Sequence, residues 1–252
     1  MAATRLAGSV CLVTGATSGI GRATALRLAE RGARLLVSGR DEDALAEVAS
    51  ATGGTPLAAD LAEAGAAGAL ATDALAHGSV DILVNAAGAG LHGPVASLDT
   101  GELERLVRLN LTAPIELSRA LLPAMLDRGR GHIVNVGSIV GHVGRRNEAS
   151  YAATKAALGV FSESLRAELT GTGVSVTLVT PGVVDTGFFE QRGVSYDRRW
   201  PRPVSADAVA ARLVDGLESG RAEVLVPRWL SLPVRLRGAL PGLYRGLARR
   251  FD

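Results

Sequence analysis

Short apolar runs alternate with helix-forming stretches along this 252-residue chain. Most of the runs are apolar without interruption, which is typical of strands covered on both faces. They fall at 10–14, 35–38, 56–59, 81–85, 132–136, 175–180 and 223–226. Between them lie stretches rich in Ala, Leu, Arg and Glu, such as 20–30, 62–76 and 102–125. This repetition predicts an α/β fold, a single doubly wound domain whose seven-stranded, mainly parallel sheet carries helices on both faces.

The composition agrees with one globular domain. Hydrophobic residues make up 47% of the chain, which argues against disorder, and a net charge of +2 argues against nucleic-acid binding. Cys11 is the sole cysteine and lies in the first apolar run, so it is expected to be a buried small hydrophobe. The N-terminus shows no signal peptide or membrane span, and the expected compartment is the cytoplasm.

A glycine-rich loop follows the first predicted strand and opens the first long helix. Residues 14–21 read Thr-Gly-Ala-Thr-Ser-Gly-Ile-Gly. Glycines allow a tight turn and a close approach of the backbone to a pyrophosphate, and the helix N-terminus supplies free N–H groups. A merely flexible turn is the alternative, but the position favours a dinucleotide site formed by Gly15, Thr17, Ser18, Gly19, Ile20 and Gly21.

The end of the second predicted strand bears on the choice of dinucleotide. An acidic residue there holds the ribose 2′-hydroxyl of NAD, whereas an arginine accommodates the 2′-phosphate of NADP. Here Gly39 stands where an acid is expected, and Arg40 follows. The pattern therefore favours NADP(H) over NAD(H). Asp41 is expected to cap the next helix rather than to neutralise Arg40.

Tyr151 and Lys155 form a candidate proton-transfer pair. Lys155 is the only lysine of the chain, and it stands four residues after Tyr151 in a predicted helix, so the two side chains share one face. A nearby positive charge favours the phenolate and is expected to lower the tyrosine pKa. The four histidines show no ligand spacing, so no metal is expected, and ordinary surface or strand-edge roles are assigned to His77, His92, His132 and His142.

Taken in order, these motifs resemble those of the short-chain dehydrogenase/reductase family. The resemblance covers roughly residues 8–227 and belongs to the subtype with a Thr-Gly-x-x-x-Gly-x-Gly loop. It implies a Rossmann fold, oxidoreductase activity and assembly into homodimers or homotetramers. The matching motifs are residues 14–21, Asp60, the Asn-Ala-Ala-Gly segment at 85–88, Asn110, Ser138, Tyr151 with Lys155, and Pro181-Gly182.

The resemblance also implies roles for individual residues. Tyr151 is similar to the general acid/base of the family, and Ser138 to the residue that orients the substrate carbonyl. Lys155 would hold the nicotinamide ribose, and Asn110 would anchor a water of a proton relay. The implied cofactor contacts are Asp60 and Leu61 at the adenine, Asn85, Ala86 and Gly88 beside the central sheet, and Val184 and Thr186 after Pro181 and Gly182 at the nicotinamide.

Two segments are expected to carry the individual features of the chain. Residues 183–205 hold four of the nine aromatic residues and are interpreted as a lid over a lipophilic substrate, with simple loop packing as the alternative. Residues 228–252, beyond a catalytic domain at 1–227, form a basic amphipathic tail with six arginines. A helix that closes the pocket or a subunit interface, and a peripheral membrane contact, both fit this tail.

The sequence thus predicts an NADP(H)-dependent oxidoreductase that acts on a carbonyl or secondary alcohol of a small, lipophilic molecule. An NAD-dependent alcohol dehydrogenase of the same family is the first alternative. A non-catalytic dinucleotide-binding sensor is the second.

Overall fold

The computed structural model describes residues 4–194, 196 and 200–248. Its central feature is a sheet of seven strands, all paired in parallel. The strands are β1 (Val10–Thr14), β2 (Arg34–Gly39), β3 (Thr55–Ala58), β4 (Ile82–Asn85), β5 (Gly131–Val136), β6 (Val174–Pro181) and β9 (Glu223–Val226), in the order β3-β2-β1-β4-β5-β6-β9. The doubly wound sheet predicted from the apolar runs is confirmed.

Helices cover both faces of this sheet. Those of the main domain are α1 (Gly19–Glu30), α2 (Glu42–Thr52), α3 (Ala66–Ala76), α4 (Thr100–Val107), α5 (Ala113–Asp127), α6 (Ile139–Val143), α7 (Ala149–Glu168) and α9 (Ala206–Glu218). The helical stretch expected at 102–125 is interrupted by a π-helical turn at Arg108–Thr112, which separates α4 from α5. The helix expected at 62–76 begins only at Ala66, after Gly65 in a left-handed conformation.

Successive side chains of the strands enter two separate cores, because they point alternately to opposite faces of the sheet. In β1, Cys11 and Val13 pack with residues of α1 and α9, such as Leu28. Val10 and Leu12 belong to the opposite core with residues of α3 and α5, such as Leu117. Cys11 is fully buried, as expected, and burial raises the pKa of its thiol to about 12.

The direction of strand addition reverses between β1 and β4. The chain builds outward from β1 to β3, returns to β4, and then extends the other edge of the sheet. The loops after β1 and β4 therefore diverge and leave a crevice at the carboxyl ends of the two strands, which is where doubly wound folds bind ligands. Thr14 joins the two loops, since its hydroxyl accepts hydrogen bonds from the amides of Ala86 and Ala87 at 3.2 and 3.1 Å.

The segment after β6 adds small elements beside this crevice. It contains a two-stranded parallel ribbon of β7 (Val184–Asp185) and β8 (Val204–Ser205), with α8 (Phe188–Gln191) between them. After β9, a 3-10 turn (Arg228–Leu230) leads to α10 (Ser231–Ala239) and α11 (Pro241–Ala248). The tail residues Arg249, Arg250, Phe251 and Asp252 lie outside the described residues. None of the described helices is long and apolar enough to cross a membrane.

Candidate active site

Two cavities lie side by side at the carboxyl ends of the strands. The larger has a volume of about 370 Å³ and the smaller about 260 Å³. Both are lined by Gly15, Ser18 and Gly88, so they adjoin each other at the crevice between β1 and β4. Two adjoining cavities at this place are suited to the two halves of a dinucleotide.

The glycine loop is shaped by two close backbone approaches. A Cβ atom on Gly15 would lie 2.7 Å from the Cα of Ala87, and one on Gly21 would lie 2.1 Å from the Gly15 carbonyl oxygen. Both positions therefore require glycine. Helix α1 starts at Gly19, and the Ser18 side chain makes no capping hydrogen bond. The amides of the first turn of α1 thus remain available to a phosphate at the wall of the cleft.

The smaller cavity contains the residues expected at the adenosine end. Thr17, Arg40, Asp60 and Leu61 line it, and Arg40 is exposed. A Cβ atom on Gly39 would lie 2.5 Å from the Thr17 side chain, so the strand end and the glycine loop are in direct contact. The expected cap is confirmed, because the Asp41 carboxylate accepts a hydrogen bond from the Ala44 amide at 3.0 Å.

Asp60 is held ionised at the edge of this cavity. Burial opposes its charge, but the Ala62 amide and the Arg105 guanidinium, at 3.0 Å each, outweigh that effect and hold its pKa below the usual range. Arg40 adds to the same effect. The smaller cavity therefore presents a positive and a negative side chain at its rim.

The larger cavity brings together Ser138, Tyr151 and Lys155. Ser138 lies between β5 and α6, near enough to Tyr151 for its hydroxyl to lower the pKa of the phenol. Tyr151 and Lys155 lie one turn apart on α7, and each is 7% exposed. The Lys155 ammonium donates a hydrogen bond to the Val136 carbonyl at 2.9 Å, so the end of β5 fixes its position. A Cβ atom on Gly141 would lie 2.8 Å from the Lys155 carbonyl carbon, and its absence lets α6 approach α7.

The pKa values of this pair differ from the expectation. Burial raises the pKa of Tyr151 to about 12, against the lowering effects of the Ser138 hydrogen bond and of Arg192, while Glu148 raises it further. Burial also lowers the pKa of Lys155 to about 8. The expected depression of the phenol pKa by Lys155 is therefore wrong for the protein alone, because desolvation dominates both groups.

Asn110 lies behind the cleft rather than in it. It is fully buried in the π-helical turn, where its side-chain amide accepts from the Ala89 amide and donates to the Ala89 carbonyl, both at 2.9 Å. It also donates to the Thr154 hydroxyl at 3.2 Å. These bonds hold the loop after β4 in place, and the expected part of Asn110 in a proton relay remains a prediction.

Asn85 likewise has its side chain outside the two cavities. It donates to Asn135 at 2.8 Å, and Asn135 donates to Ser162 of α7 at 2.9 Å. This buried chain of hydrogen bonds ties β4 and β5 to the helix that carries Tyr151. Asn85 therefore supports the central sheet, and its expected contact with a cofactor remains a prediction.

The remaining predicted cofactor residues line the larger cavity. They come from the glycine loop, from the loop after β4 and from the segment after β6. They are Gly15, Ser18, Gly19, Ile20, Gly21, Ala86, Gly88, Pro181, Gly182, Val184 and Thr186.

The aromatic residues of the expected lid divide between the cavity and the surface. Phe188, Phe189 and Tyr196 line the larger cavity, and the Phe188 ring centre lies 5.5 Å from that of Tyr151. Trp200 instead stacks on Trp229 of the tail at 5.0 Å. The segment thus places an apolar wall beside Tyr151.

Two charged residues of the site and the location of one histidine were not predicted from the sequence. Glu148 and Arg192 line the cavity as an ion pair across 44 positions, which no spacing rule reveals. His132 was expected at the surface or at a strand edge, which is wrong. It is fully buried in β5 between the Thr4 and Thr177 hydroxyls, and burial lowers its pKa to about 4. Within the described ranges, no group of three or more His, Cys, Asp or Glu side chains is arranged to hold a metal ion.

Comparisons with known proteins identify the family of the chain. A family model described as short chain dehydrogenase matches residues 9–196. An uncharacterized oxidoreductase of Myxococcus xanthus is 38% identical over 250 residues, which cover 95% of this chain and 96% of that protein.

Solved structures give the same result. A short-chain dehydrogenase from Sphingobium yanoikuyae in complex with NADPH has a TM-score of 0.82 at 30% identity and covers 96% of this chain and 95% of its own. A short chain dehydrogenase/reductase from Burkholderia phymatum in complex with NAD has a TM-score of 0.84 at 27% identity, with coverages of 93% and 94%. The chain therefore belongs to the short-chain dehydrogenase/reductase family of oxidoreductases.

Proposed function

We propose that the protein is an NADP(H)-dependent oxidoreductase that interconverts a carbonyl group and a secondary alcohol on a small, lipophilic substrate. The observation that carries this proposal is the placement of Ser138, Tyr151 and Lys155 at the wall of a cleft that is otherwise suited to a dinucleotide. Two hydroxyl groups beside each other supply two donors to one carbonyl oxygen, where negative charge develops during reduction.

We infer that a nicotinamide dinucleotide would lie across the two cavities. The glycine loop and the first turn of α1 would hold the pyrophosphate, and the smaller cavity would hold the adenosine. Lys155 and the residues after β6, Val184 and Thr186, would hold the nicotinamide end. Related structures contain NADPH in one case and NAD in another. Arg40 at the rim of the smaller cavity supports NADP(H), since a guanidinium matches the geometry of a phosphate.

The bound nicotinamide supplies or accepts the hydride at the carbonyl carbon. The residues of the chain handle the proton. In reduction, Tyr151 donates its phenolic proton to the carbonyl oxygen while Ser138 donates a hydrogen bond to the same oxygen. In oxidation, the Tyr151 phenolate accepts the proton of the alcohol.

The walls of the larger cavity support a lipophilic substrate. Its lining includes Ile139, Val140, Val143, Phe188 and Phe189. Burial of apolar substrate surface against these side chains would contribute favourable free energy. The reacting oxygen then finds its partners in Ser138 and Tyr151.

Turnover tests the proposal and separates it from its alternatives. Purified protein is followed by NADPH and NADH absorbance against a panel of lipophilic ketones and aldehydes. NADPH-selective oxidation of cofactor is the expected result, and a preference for NADH would favour the NAD-dependent alcohol dehydrogenase. Tight binding of NADPH with no turnover of any panel member would favour the sensor.

The tail supports a second contact, which we propose is a peripheral association of the protein with an anionic membrane. Leu232, Leu240 and Leu243 are each more than half exposed, and Arg235 and Arg237 are exposed on α10. Exposed leucines and arginines on short helices are suited to a membrane interface. Co-sedimentation with anionic vesicles is expected, and its absence in the presence of a stable homodimer or homotetramer would assign the leucines to a subunit interface.

A further inference from the structure

A buried ion pair joins the expected lid to the start of the helix that carries Tyr151. Arg192 follows α8, and Glu148 directly precedes α7. Arg192 Nη1 lies 3.1 Å from Glu148 Oε1, and the two side chains are 3% and 2% exposed. Arg145 lies 3.3 Å from the same oxygen. Because the burial of two charges is costly, a pair at this place points to a role in the pocket rather than to surface stabilisation.

Arg192 also stacks on the aromatic wall of the pocket. Its Cζ atom lies 4.5 Å from the Phe189 ring centre and 5.4 Å from that of Phe188. Phe188 in turn lies 5.5 Å from the Tyr151 ring. Glu148 contacts Arg192, Arg192 contacts Phe188, and Phe188 contacts Tyr151. Glu148 and Tyr151 are three residues apart in the sequence. A movement of Arg192 would therefore displace the wall beside the proton donor.

Gly90, in the loop after β4, leaves room for the side chains of Phe188 and Arg192. A Cβ atom on Gly90 would lie 2.6 Å from the Phe188 ring and 3.1 Å from the Cδ atom of Arg192. A larger residue at this position would push both side chains away from the pocket. The loop after β4 and the lid are thus in direct contact only because position 90 is glycine.

The same pair contributes opposite charges to the surroundings of Tyr151. Glu148 raises the pKa of the phenol and Arg192 lowers it. Lys155 is the further charge on α7, with its ammonium 6.0 Å from the Tyr151 ring centre, and Ser138 at the end of β5 supplies a neutral hydroxyl. Arg145 acts through its pairing with Glu148. The α4 and α6 residues that pack with Tyr151 are apolar, namely Leu106, Ile139 and Val140.

We propose that Arg192 is a positioning residue for the carbonyl reaction: by pairing with Glu148 and stacking on Phe188 and Phe189, it holds the aromatic wall of the substrate pocket against Tyr151. This inference rests on the proposed function, since it assigns the residue that aligns the substrate for that reaction. Alignment of a substrate is sensitive to displacements of about 1 Å, which can change rates by about 10²-fold.

The first experiment is a double-mutant cycle on kcat/KM with NADPH and the best ketone of the panel. Arg192→Met and Glu148→Gln should each lower kcat/KM by about 10- to 10²-fold. The kcat/KM of the double variant should be no lower than that of the less active single variant, because either substitution already breaks the ion pair. If the double variant loses kcat/KM by the product of the two single losses, the two residues act independently. That result would overturn the proposal.

The pH profile supplies a readout that a purely structural role would not move. In alcohol oxidation, the rising limb of kcat/KM should move to higher pH in Arg192→Met and to lower pH in Glu148→Gln, because the Tyr151 phenolate loses a stabilising charge in one variant and a destabilising charge in the other. Displacement of both profiles in the same direction would contradict the proposal. The matched control is the exposed Arg31–Glu218 pair, where Arg31→Met and Glu218→Gln should change neither measurement.

Arg192→Lys addresses the case in which the methionine variant fails to fold. Lysine keeps the charge but lacks the planar group that stacks on the rings. Its pH profile should match that of the wild type while kcat/KM falls, and an unchanged kcat/KM would overturn the role of stacking.

Amide hydrogen exchange separates a failure of this inference from a failure of the proposed function. Exchange in residues 184–194 should be faster in Arg192→Met than in the wild type, and this comparison needs no turnover. If the wild-type protein reduces no carbonyl but the lid exchange differs as expected, the proposed function fails and the contact between lid and helix stands. Unchanged exchange would remove the positioning role.

Discussion

The Lys155 ammonium lies 6.0 Å from the centre of the Tyr151 ring, one turn along the same helix. Burial acts on the two groups in opposite directions, since it raises the pKa of Tyr151 to about 12 and lowers that of Lys155 to about 8. Both shifts favour the neutral form. Tyr151 therefore keeps its proton at neutral pH, which is the form that a donor to a carbonyl oxygen requires.

Replacement of Tyr151 by Phe removes this proton while it keeps the ring that packs on Phe188. The variant should lose about 10²–10⁴-fold in kcat for carbonyl reduction, the usual contribution of general acid catalysis. NADPH binding, measured by fluorescence titration, should remain. Tyr244→Phe is the control, because its hydroxyl lies outside both cavities, 3.4 Å from the Val143 carbonyl oxygen. Full activity of the Tyr151 variant would exclude it as the proton donor.

Arg40 tests the choice of cofactor. Replacement of Arg40 by Ala should raise the dissociation constant of NADPH by about 10- to 10²-fold, because a hydrogen bond to a charged group contributes about 1.5–3 kcal/mol. The constant for NADH should change little, since NADH lacks the 2′-phosphate. Arg34 lies at the opposite end of the same strand and is also exposed, so Arg34→Ala is a matched control. Equal losses for both cofactors would refute the role of Arg40.

The parts of the structure that were predictable from the sequence are local. Continuous apolar runs specify strands of a covered sheet, glycines specify a loop with close backbone contacts, and the spacing of Tyr151 and Lys155 places both on one face of α7. Each of these patterns spans only a few residues. They were sufficient to predict the parallel sheet and the helices around it.

The features that the sequence did not predict depend on tertiary contacts. The raised pKa of Tyr151 follows from its burial. The ion pair of Arg192 and Glu148 joins segments 44 positions apart. The hydroxyls of Thr4 and Thr177 contact the two ring nitrogens of the buried His132. The π-helical turn at Asn110 likewise serves a contact with the distant Ala89. None of these features has a periodic signature along the chain.

His132 should make the protein less stable in acid. Its pKa is about 4 in the folded protein against 6.5 for a free side chain, so the unfolded chain binds the additional proton between these values and the free energy of unfolding rises with pH across that window. His132 contributes about 3 kcal/mol to the free energy of unfolding at neutral pH, and this contribution is lost as the pH falls from about 6.5 to 4. Urea unfolding at pH 4.5, 5.5 and 7 should show this slope reduced in His132→Gln. The exposed His77→Gln should retain the slope, and an identical slope in all three proteins would contradict the assignment.

Two glycines close together in the sequence should respond in opposite ways to alanine. Gly68 lies in α3, is exposed, and has open space around its position, so Gly68→Ala should raise the free energy of unfolding by about 0.5–1 kcal/mol. Gly65 precedes the same helix with a φ of +81°, where an L residue is strained, so Gly65→Ala should lower it by about 1–2 kcal/mol. Differential scanning calorimetry should therefore show Tm raised by about 1–4 °C in Gly68→Ala and lowered by about 2–8 °C in Gly65→Ala for a chain of this length. Because both substitutions add the same methyl group to solvent-exposed backbone, only the conformation of the two positions accounts for a difference in sign. Shifts of the same sign would contradict the left-handed conformation of Gly65.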